Sequence, residues 1–499
     1  MSVFGQGVGR VCAVVATPSA REFRRMVRVA LQETLTVELR LDWLANDRER
    51  RKALEWLKRL ARKKAVFLAT CRRRGGGGEF SGSAEQELFW LRKAKEAGCV
   101  WCDLEVETLR ELPGKTADGC ELPPKVLLSI HDFRQTPKGL GRVKIAARGR
   151  VAAVKVAAMS LRLSDSTRLL RLAHGTRNMV AVPMGEIGLP ARILALREGS
   201  ALLYAPVGAA TAPGQVGLRD LLQLYRAHEL TQKTRVYGVI GNPVGHSLSP
   251  LMHNTGYVAA RKDAVFLPFL VEDLGEFLEV RREFGVAGFS VTIPHKQKIF
   301  DYLDECEPLA EEIGAVNTVT VRHNGKLAGS NTDYVGVLRA LAGKLKLKDS
   351  RILIFGAGGG ARAAAFAVAK AGAQVLVCAR REQAAKELAR AVHGGVLRRA
   401  ALRKEKFDAI VNTTPVGMHP HERNSPLAAA ELNCGLVMDL IYRPLQTKLL
   451  RLAAARGIKT VSGVDMFLAQ GIAQWELWMG SRAPEAAMRS AILKALHCE

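Results

Sequence analysis

Eight short apolar runs recur along the first 207 residues: VCAVVAT, TVELRLDWL, KAVFLATC, GCVWCDLEV, KVLLSIHDF, AAVKVAAM, NMVAVPMG and ALLYAPV. Each has the length and apolar character of a strand buried on both faces. Between most of them lie Lys/Arg-rich stretches with apolar residues at helical spacing, for example residues 85–97. This alternation predicts an α/β fold that begins with a closed parallel (β/α)8, or TIM, barrel, whose chemistry sits at the C-terminal strand ends. Residues 218–234 read as a closing helix and a polar connector, QKT.

The βα alternation then restarts twice, first at RVYGVIG and again in KDSRILIFGAGGGARAAAFAVAKAG. With 499 residues the chain exceeds one ordinary core, and at about 150 residues per domain roughly three are expected. In the second restart, the apolar run 352–355 enters a turn with Gly356, Gly358 and Gly359, followed by an Ala-rich helix. Glycine lets the backbone approach a pyrophosphate, and the helix N-terminus offers free N–H groups. The next strand, 374–379, ends in Arg380 and Arg381, which suit a 2′-phosphate and so favour NADP. The bland alternative is a solvated strand end, and Glu382 leaves NAD open as a weaker cofactor. From about residue 465 the chain reads as an amphipathic helical tail.

Lys and Arg number 74 against 48 Asp and Glu, a net charge of +26. Such a charge raises nucleic-acid binding through counterion release. The cations are spread along the chain, however, as in residues 48–52, without an aromatic-interleaved patch or zinc-finger spacing. A basic surface that attracts anionic small molecules is the better reading, with no nucleic-acid partner. No apolar run approaches a membrane span, and MSVFGQGVGRVCAVV lacks the parts of a secretory signal. A cytoplasmic protein is expected. The nine cysteines are scattered; Cys99 and Cys102 make a CxxC with no second pair, so no metal is expected.

From residue 235 to 497 the motifs GNPVGHSLSPLMHN, GFSVTIPHK, GAVNTV, NTDYVG, GAGGGAR, NTTPVGM and GVDMFLAQG follow one another. In that order they resemble shikimate dehydrogenase. The resemblance implies a substrate-binding domain at 235–336, a Rossmann NADP-binding domain at 337–464, and C-terminal helices at 465–499 packing back on the substrate domain. It implies Lys296 as proton donor to the substrate oxygen and Asp333 as the group that holds that lysine. Ser247, Ser249, Thr292, Asn317, Tyr442 and Gln470 match substrate contacts; Thr414, Met418 and Gly463 match cofactor positions. Read alone, Ser247 and Ser249 before Pro250 would cap a helix more often than bind a ligand. Both serines are retained, which favours shikimate over quinate.

The first half resembles type I 3-dehydroquinate dehydratase through VELRLDW, SIHDFRQTP, AAVKVA, MGEIGLPAR and TAPGQ, over residues 10–229 of a barrel placed at 1–229. Lys155 stands out on its own: an unpaired lysine inside VAAV–VAAM is hard to justify structurally, and burial favours the neutral amine that condenses with ketones. Lys144 in RVKIAA has similar neighbours but follows His131 too closely for a full βα unit. The resemblance makes His131 the proton shuttle, with Asp132 beside it, and matches Glu38, Arg40, Arg72, Arg192, Thr211 and Gln215 to substrate contacts. In RRRGGGGEF, glycines replace a glutamate expected a few residues after Arg72, with Glu79 as a distant substitute. Ala191 and Thr211 stand where serines are usual. An active but impaired dehydratase is expected.

Together the resemblances imply consecutive steps: 3-dehydroquinate is dehydrated, and the resulting 3-dehydroshikimate is reduced by NADPH to shikimate. The alternative is a shikimate/quinate dehydrogenase with a vestigial barrel. A rival of another class, a nucleic-acid binder, would show steeply salt-dependent binding.

Overall fold

The computed structural model describes residues 4, 7–60, 64–111, 122–140, 151–176, 178–208 and 214–497. Thr211 and Lys144 lie outside the described residues. The chain forms two compact units, Met1–Thr234 with Pro268–Gly285, and Arg235–Leu267 with Val286–Glu499.

The first unit is built on β1 (Val11–Val15), β2 (Thr36–Arg40), β3 (Val66–Thr70), β4 (Trp101–Glu105), β5 (Lys125–Asp132), β6 (Val151–Met159), β7 (Met179–Met184) and β8 (Leu203–Pro206). They pair in the order β7-β6-β5-β4-β3-β2-β1-β8, and Ala201 N–H reaches the Met179 carbonyl at 2.7 Å across the remaining seam. The expected parallel barrel is therefore present. Because side chains alternate between faces, every second residue of a strand belongs to one layer. Cys12, Val14, Leu68, Trp101, Leu127, Ala153, Val180 and Tyr204 form one apolar cluster, with Phe4 stacked on Trp101 at 4.1 Å. Two residues further along β4, β5 and β6 the same faces carry Asp103, Ser129 and Lys155. An apolar plug thus supports a polar layer toward the C-terminal strand ends. The closing helix anticipated before the QKT connector is present but short: it spans 218–224, ending in the π turn Asp220–Leu224, before Arg226 adopts a left-handed φ of 48°.

Two further sheets follow the barrel along the chain. One contains β9 (Arg235–Gly241), β10 (Ala264–Leu270), β11 (Val286–Val291), β12 (Glu305–Cys306), β13 (Thr318–Val321) and β14 (Leu327–Ser330), in the order β10-β9-β11-β13-β14-β12. The other contains β15 (Arg351–Phe355), β16 (Gln374–Cys378), β17 (Gly395–Val396), β18 (Phe407–Asn412), β19 (Cys434–Asp439) and β20 (Lys459–Val461). Its order, β17-β16-β15-β18-β19-β20, is all parallel and reverses at β15/β18, as in a Rossmann sheet. The helix Gly359–Lys370 packs closely on it because Ala361, Ala363, Ala364, Ala365 and Ala367 are fully buried and small.

The tail beyond residue 465 is not a simple amphipathic helix. Gly463–Met479 is buried on nearly all sides, since FLAQGIAQW offers almost no charged face. At Gly471 a Cβ would stand 2.0 Å from Met252 Cε, so the glycine lets that methionine side chain lie against the helix. Glu485–His497 follows with Met488, Ile492 and Leu496 along one buried stripe. Among the described residues, no helix is long and apolar enough to cross a membrane.

Candidate active sites

In the barrel unit, five ionisable side chains from four strands or their ends form one buried network. Lys155 on β6 is 4% exposed, and its Nζ bonds Asp103 of β4. The expectation of an unpaired lysine is corrected here: Asp103 faces it. Arg72, just past β3, donates from Nε to Glu105 Oε1 at 2.7 Å and from Nη2 to Asp103 Oδ2 at 3.4 Å. Glu105 Oε2 lies 2.9 Å from His131 Nδ1. Lys155 Nζ also sits 5.0 Å from the centre of the Tyr204 ring.

These charges set one another's protonation. Burial pushes the Asp103 carboxyl up, but Lys155 and Arg72 more than offset it and hold it well below the usual carboxylate range. Burial opposes the charge of Arg72 too, yet Glu105 and Asp103 raise its pKa. The Glu105 carboxyl is pushed up by burial, against the pull of Arg72. His131 is driven well below its ordinary value by burial and then by the cations Arg72 and Lys155, which makes it a neutral base.

The remaining expected barrel residues divide into groups. Glu38 accepts from Thr70 Oγ1 at 2.6 Å. Arg40 is engaged by Asp42 through two bonds, at 2.9 and 2.7 Å, a partner not foreseen from the sequence. Arg192 donates from Nε to the Pro183 carbonyl at 3.0 Å, whereas its two terminal nitrogens are buried without a partner among the described residues. Gln215 is half-buried just beyond Gly214. Asp132 does not face His131 as a partner; its Oδ1 accepts the N–H groups of Arg134 and Gln135 and builds a turn. Glu79 is exposed, and its N–H bonds Asp42.

In the second unit Lys296 Nζ lies 2.5 Å from Asp333 Oδ2. Asn331 caps the helix Thr332–Leu341 by accepting from Tyr334 N–H at 3.1 Å, which puts Asp333 in the first turn, where a carboxylate is favoured. Asn317 donates to Asp333 Oδ1 at 2.8 Å and accepts the Thr332 N–H at 2.7 Å. Thr292 lies near the end of β9, where a Cβ on Gly241 would come 2.4 Å from Thr292 Cγ2. Ser249 is buried and donates its N–H to Ser247 Oγ at 3.2 Å, so the pair is a turn rather than a side-chain cap of the following helix. The Tyr442 hydroxyl bonds near Ser247 and Leu248, and its ring packs on Phe467 at 4.5 Å. Gln470, one turn on from Phe467, donates to that residue's carbonyl at 2.8 Å.

The dinucleotide turn fits its expected occupant. Gly356 has φ 126°, and a Cβ there would meet Thr413 Oγ1 at 2.3 Å. At Gly358, immediately before the helix, a Cβ would meet nothing within 4 Å, leaving open space beside free N–H groups. A Cβ on Gly359 would lie 3.2 Å from Lys296 Cδ, so the turn adjoins the lysine. Arg380 and Arg381 are exposed at the end of β16, while Glu382 pairs with Lys386 at 3.0 Å. Thr414 bonds Asn412 Oδ1 at 2.7 Å in the loop after β18, and Met418 is 45% exposed further along it. Gly463 admits no side chain, because a Cβ would be 2.4 Å from the Ile441 carbonyl oxygen.

Comparisons with known proteins follow the same division. The family model for type I 3-dehydroquinase matches residues 11–232. Those for the shikimate dehydrogenase substrate binding domain and the shikimate 5′-dehydrogenase C-terminal domain match 239–319 and 463–493. Over 476 residues, 90% of this chain and 78% of the relative, the chain is 34% identical to a chloroplastic bifunctional 3-dehydroquinate dehydratase/shikimate dehydrogenase from Arabidopsis thaliana. A shikimate dehydrogenase (NADP(+)) from Bacillus cereus (strain ATCC 10987 / NRS 248) is 43% identical over 274 residues, 52% of this chain and 99% of the relative. A crystal structure of shikimate dehydrogenase in complex with NADP+ aligns with a TM-score of 0.50 and 36% identity, covering 54% of this chain and 97% of that one.

Proposed function

The chain belongs to the bifunctional 3-dehydroquinate dehydratase/shikimate dehydrogenase family, and we propose which of its residues carry the two reactions. It is a shikimate-pathway enzyme, a lyase that dehydrates 3-dehydroquinate joined to an NADP-dependent oxidoreductase that forms shikimate.

In the barrel, the Lys155 amine attacks the ketone carbon of 3-dehydroquinate; the carbonyl oxygen leaves as water and an iminium forms. Neutral His131 takes a proton from the adjacent carbon, and the released electron pair moves into the iminium to give an enamine. The enamine expels the hydroxyl group, which leaves as water with the proton that His131 returns. A second water hydrolyses the remaining iminium, frees Lys155 and releases 3-dehydroshikimate. Arg192 and Gln215 are assigned to the substrate, the arginine to its carboxylate because a guanidinium fork makes two parallel charge-assisted bonds. The supporting observation is one amine, one neutral imidazole and their counter-charges buried together above the apolar plug.

In the second unit, NADPH supplies hydride when bound. Gly356, Gly358 and Gly359 would leave room for its pyrophosphate, and Arg380 with Arg381 would hold its 2′-phosphate. Lys296 donates a proton to the substrate oxygen, while Asp333, held by Asn317, keeps the lysine aimed. Ser247, Ser249 and Tyr442 receive the substrate carboxylate, and the retention of both serines is what favours shikimate over quinate.

A coupled assay from 3-dehydroquinate tests both halves on wild type, Lys155→Ala and Lys296→Ala. Lys155→Ala should turn over 3-dehydroshikimate but not 3-dehydroquinate, and Lys296→Ala the reverse. Borohydride should trap substrate on Lys155; a wild-type enzyme that turns over without a trapped adduct refutes the iminium route.

A further inference from the structure

Resting on His131 as the proton shuttle, we propose that Glu105 is its positioning residue, accepting the Nδ1 proton so that Nε2 is left bare to act as the base. The Glu105 carboxylate spans two groups, with Oε2 at 2.9 Å from His131 Nδ1 and Oε1 accepting from Arg72 Nε at 2.7 Å. With Glu105 ionised against the Arg72 guanidinium it can only accept, so the shared proton belongs to Nδ1 and the neutral ring takes a single tautomer. The pair is buried, the two side chains being 6% and 5% exposed. Phe133 stacks on the imidazole at 5.8 Å with a 12° interplanar angle. Gly77, at φ 78°, closes against that ring; a Cβ there would be 2.3 Å from Phe133 Cε2.

Other carboxylates near His131 are otherwise engaged. Asp132 accepts two backbone N–H groups, Asp103 takes Lys155 and Arg72, and Glu79 is exposed. The charges acting on His131 are Arg40 from β2, Arg72 past β3, Asp103 from β4 and Lys155 from β6. Three of these four are cations, so a Glu105 anion also favours the imidazolium formed after proton abstraction. Gly76 leaves this position to Glu105: a Cβ at residue 76 would point at its Cγ and Cδ, from 3.4 and 3.5 Å. A carboxylate delivered from residue 76 would therefore reach the same place.

The experiment uses the full chain, with urea unfolding of the barrel signal as the control for folding. Glu105→Gln should lower dehydratase kcat about 100-fold with KM changed less than about threefold, as expected for a group acting through the base. The limb of the kcat pH profile that reports the base should move to lower pH, because the imidazolium loses an anion. Glu105→Ala should be similarly slow, and adding Gly76→Glu to it should recover about tenfold or more. Dehydratase kcat within about twofold of wild type in Glu105→Gln, or no gain from Gly76→Glu in the Ala background, overturns the proposal. If His131→Ala instead keeps full dehydratase activity, the assignment of the shuttle fails, which separates the two outcomes.

Discussion

Arg192 is anchored to Pro183 through a single 3.0 Å bond from Nε, while its Nη1 and Nη2 are buried and have no partner among the described residues. Burial pushes its guanidinium down to about 10. Both free nitrogens lie on the same edge of a fork that matches a carboxylate. Arg192→Met should raise dehydratase KM about 10- to 100-fold, the loss of charge-assisted bonds worth about 1.5–3 kcal/mol. The same change should leave the thermal midpoint unchanged or higher, since an uncompensated buried charge is removed. An unchanged KM would dismiss Arg192 as a substrate contact.

Lys296 and Asp333 act as a unit, so their substitutions should not add. Lys296→Ala and Asp333→Asn should each lower reductase kcat by about 10²- to 10⁴-fold, and the double variant by little more. Dehydratase rates, followed by the appearance of 3-dehydroshikimate, should be unaffected. Additive losses would mean that the aspartate acts apart from the lysine.

At the cofactor site, Arg380→Ser with Arg381→Ser should weaken NADP+ by about 10- to 100-fold, corresponding to one or two lost charge-assisted bonds at about 1.5 kcal/mol each. NAD+ affinity should stay within about twofold, because it lacks the phosphate. Fluorescence titration with each nucleotide gives this ratio without turnover. Equal weakening of both nucleotides would place the arginines elsewhere on the cofactor.

Glu87 gives the barrel unit a pH-dependent liability. It is 1% exposed and accepts from Thr108 Oγ1 at 2.8 Å and from Arg73 Nε at 3.1 Å. Burial outweighs both contacts and raises the carboxyl to about 7. Because the folded pKa lies above the unfolded one, the protonated form favours folding. That contribution is complete below about pH 4.5 and is lost as pH rises through about 7, a change of about 3 kcal/mol. Glu87→Gln should therefore raise stability at pH 8 and flatten its decline between pH 4.5 and 7, measured by urea unfolding of the barrel signal. A variant with the wild-type pH slope would show that Glu87 stays ionised throughout.

The sheet positions were readable because each barrel strand is a compact apolar run, and the Rossmann sheet because its turn carries glycine between strand and helix. The charged layer was harder to read. Lys155 was conspicuous among alanines and valines, but Asp103 and Glu105 looked like carboxylates trailing off a buried strand in CDLEVE. Their spacing held the missing signal: residues two apart on a strand share a face, and these follow Trp101 on the face that packs into the apolar cluster. Once a barrel is assumed, such a pair at a C-terminal strand end points to the site.

Two helices were misread for opposite reasons. The helix that begins at residue 218 stops at 224, because Ala227 N–H bonds back to Leu221 and Arg226 leaves the right-handed region. In Gly463–Met479 the polar residues suggested a wet face, but Gln470 and Gln474 are buried and hydrogen-bonded. Amide side chains inside a helix pair do not mark its solvent side.

The narrow gap between Gly359 and Lys296 Cδ ties two traits that would otherwise vary separately. A methyl added at residue 359 would press on the stem of the proton donor from 3.2 Å, at the first residue of the helix behind the nucleotide turn. Mutational drift at this turn is therefore judged twice, by how tightly the coenzyme sits and by where the ammonium points. Attempts to retune coenzyme choice have more freedom at Arg380 and Arg381, which are exposed at the end of β16.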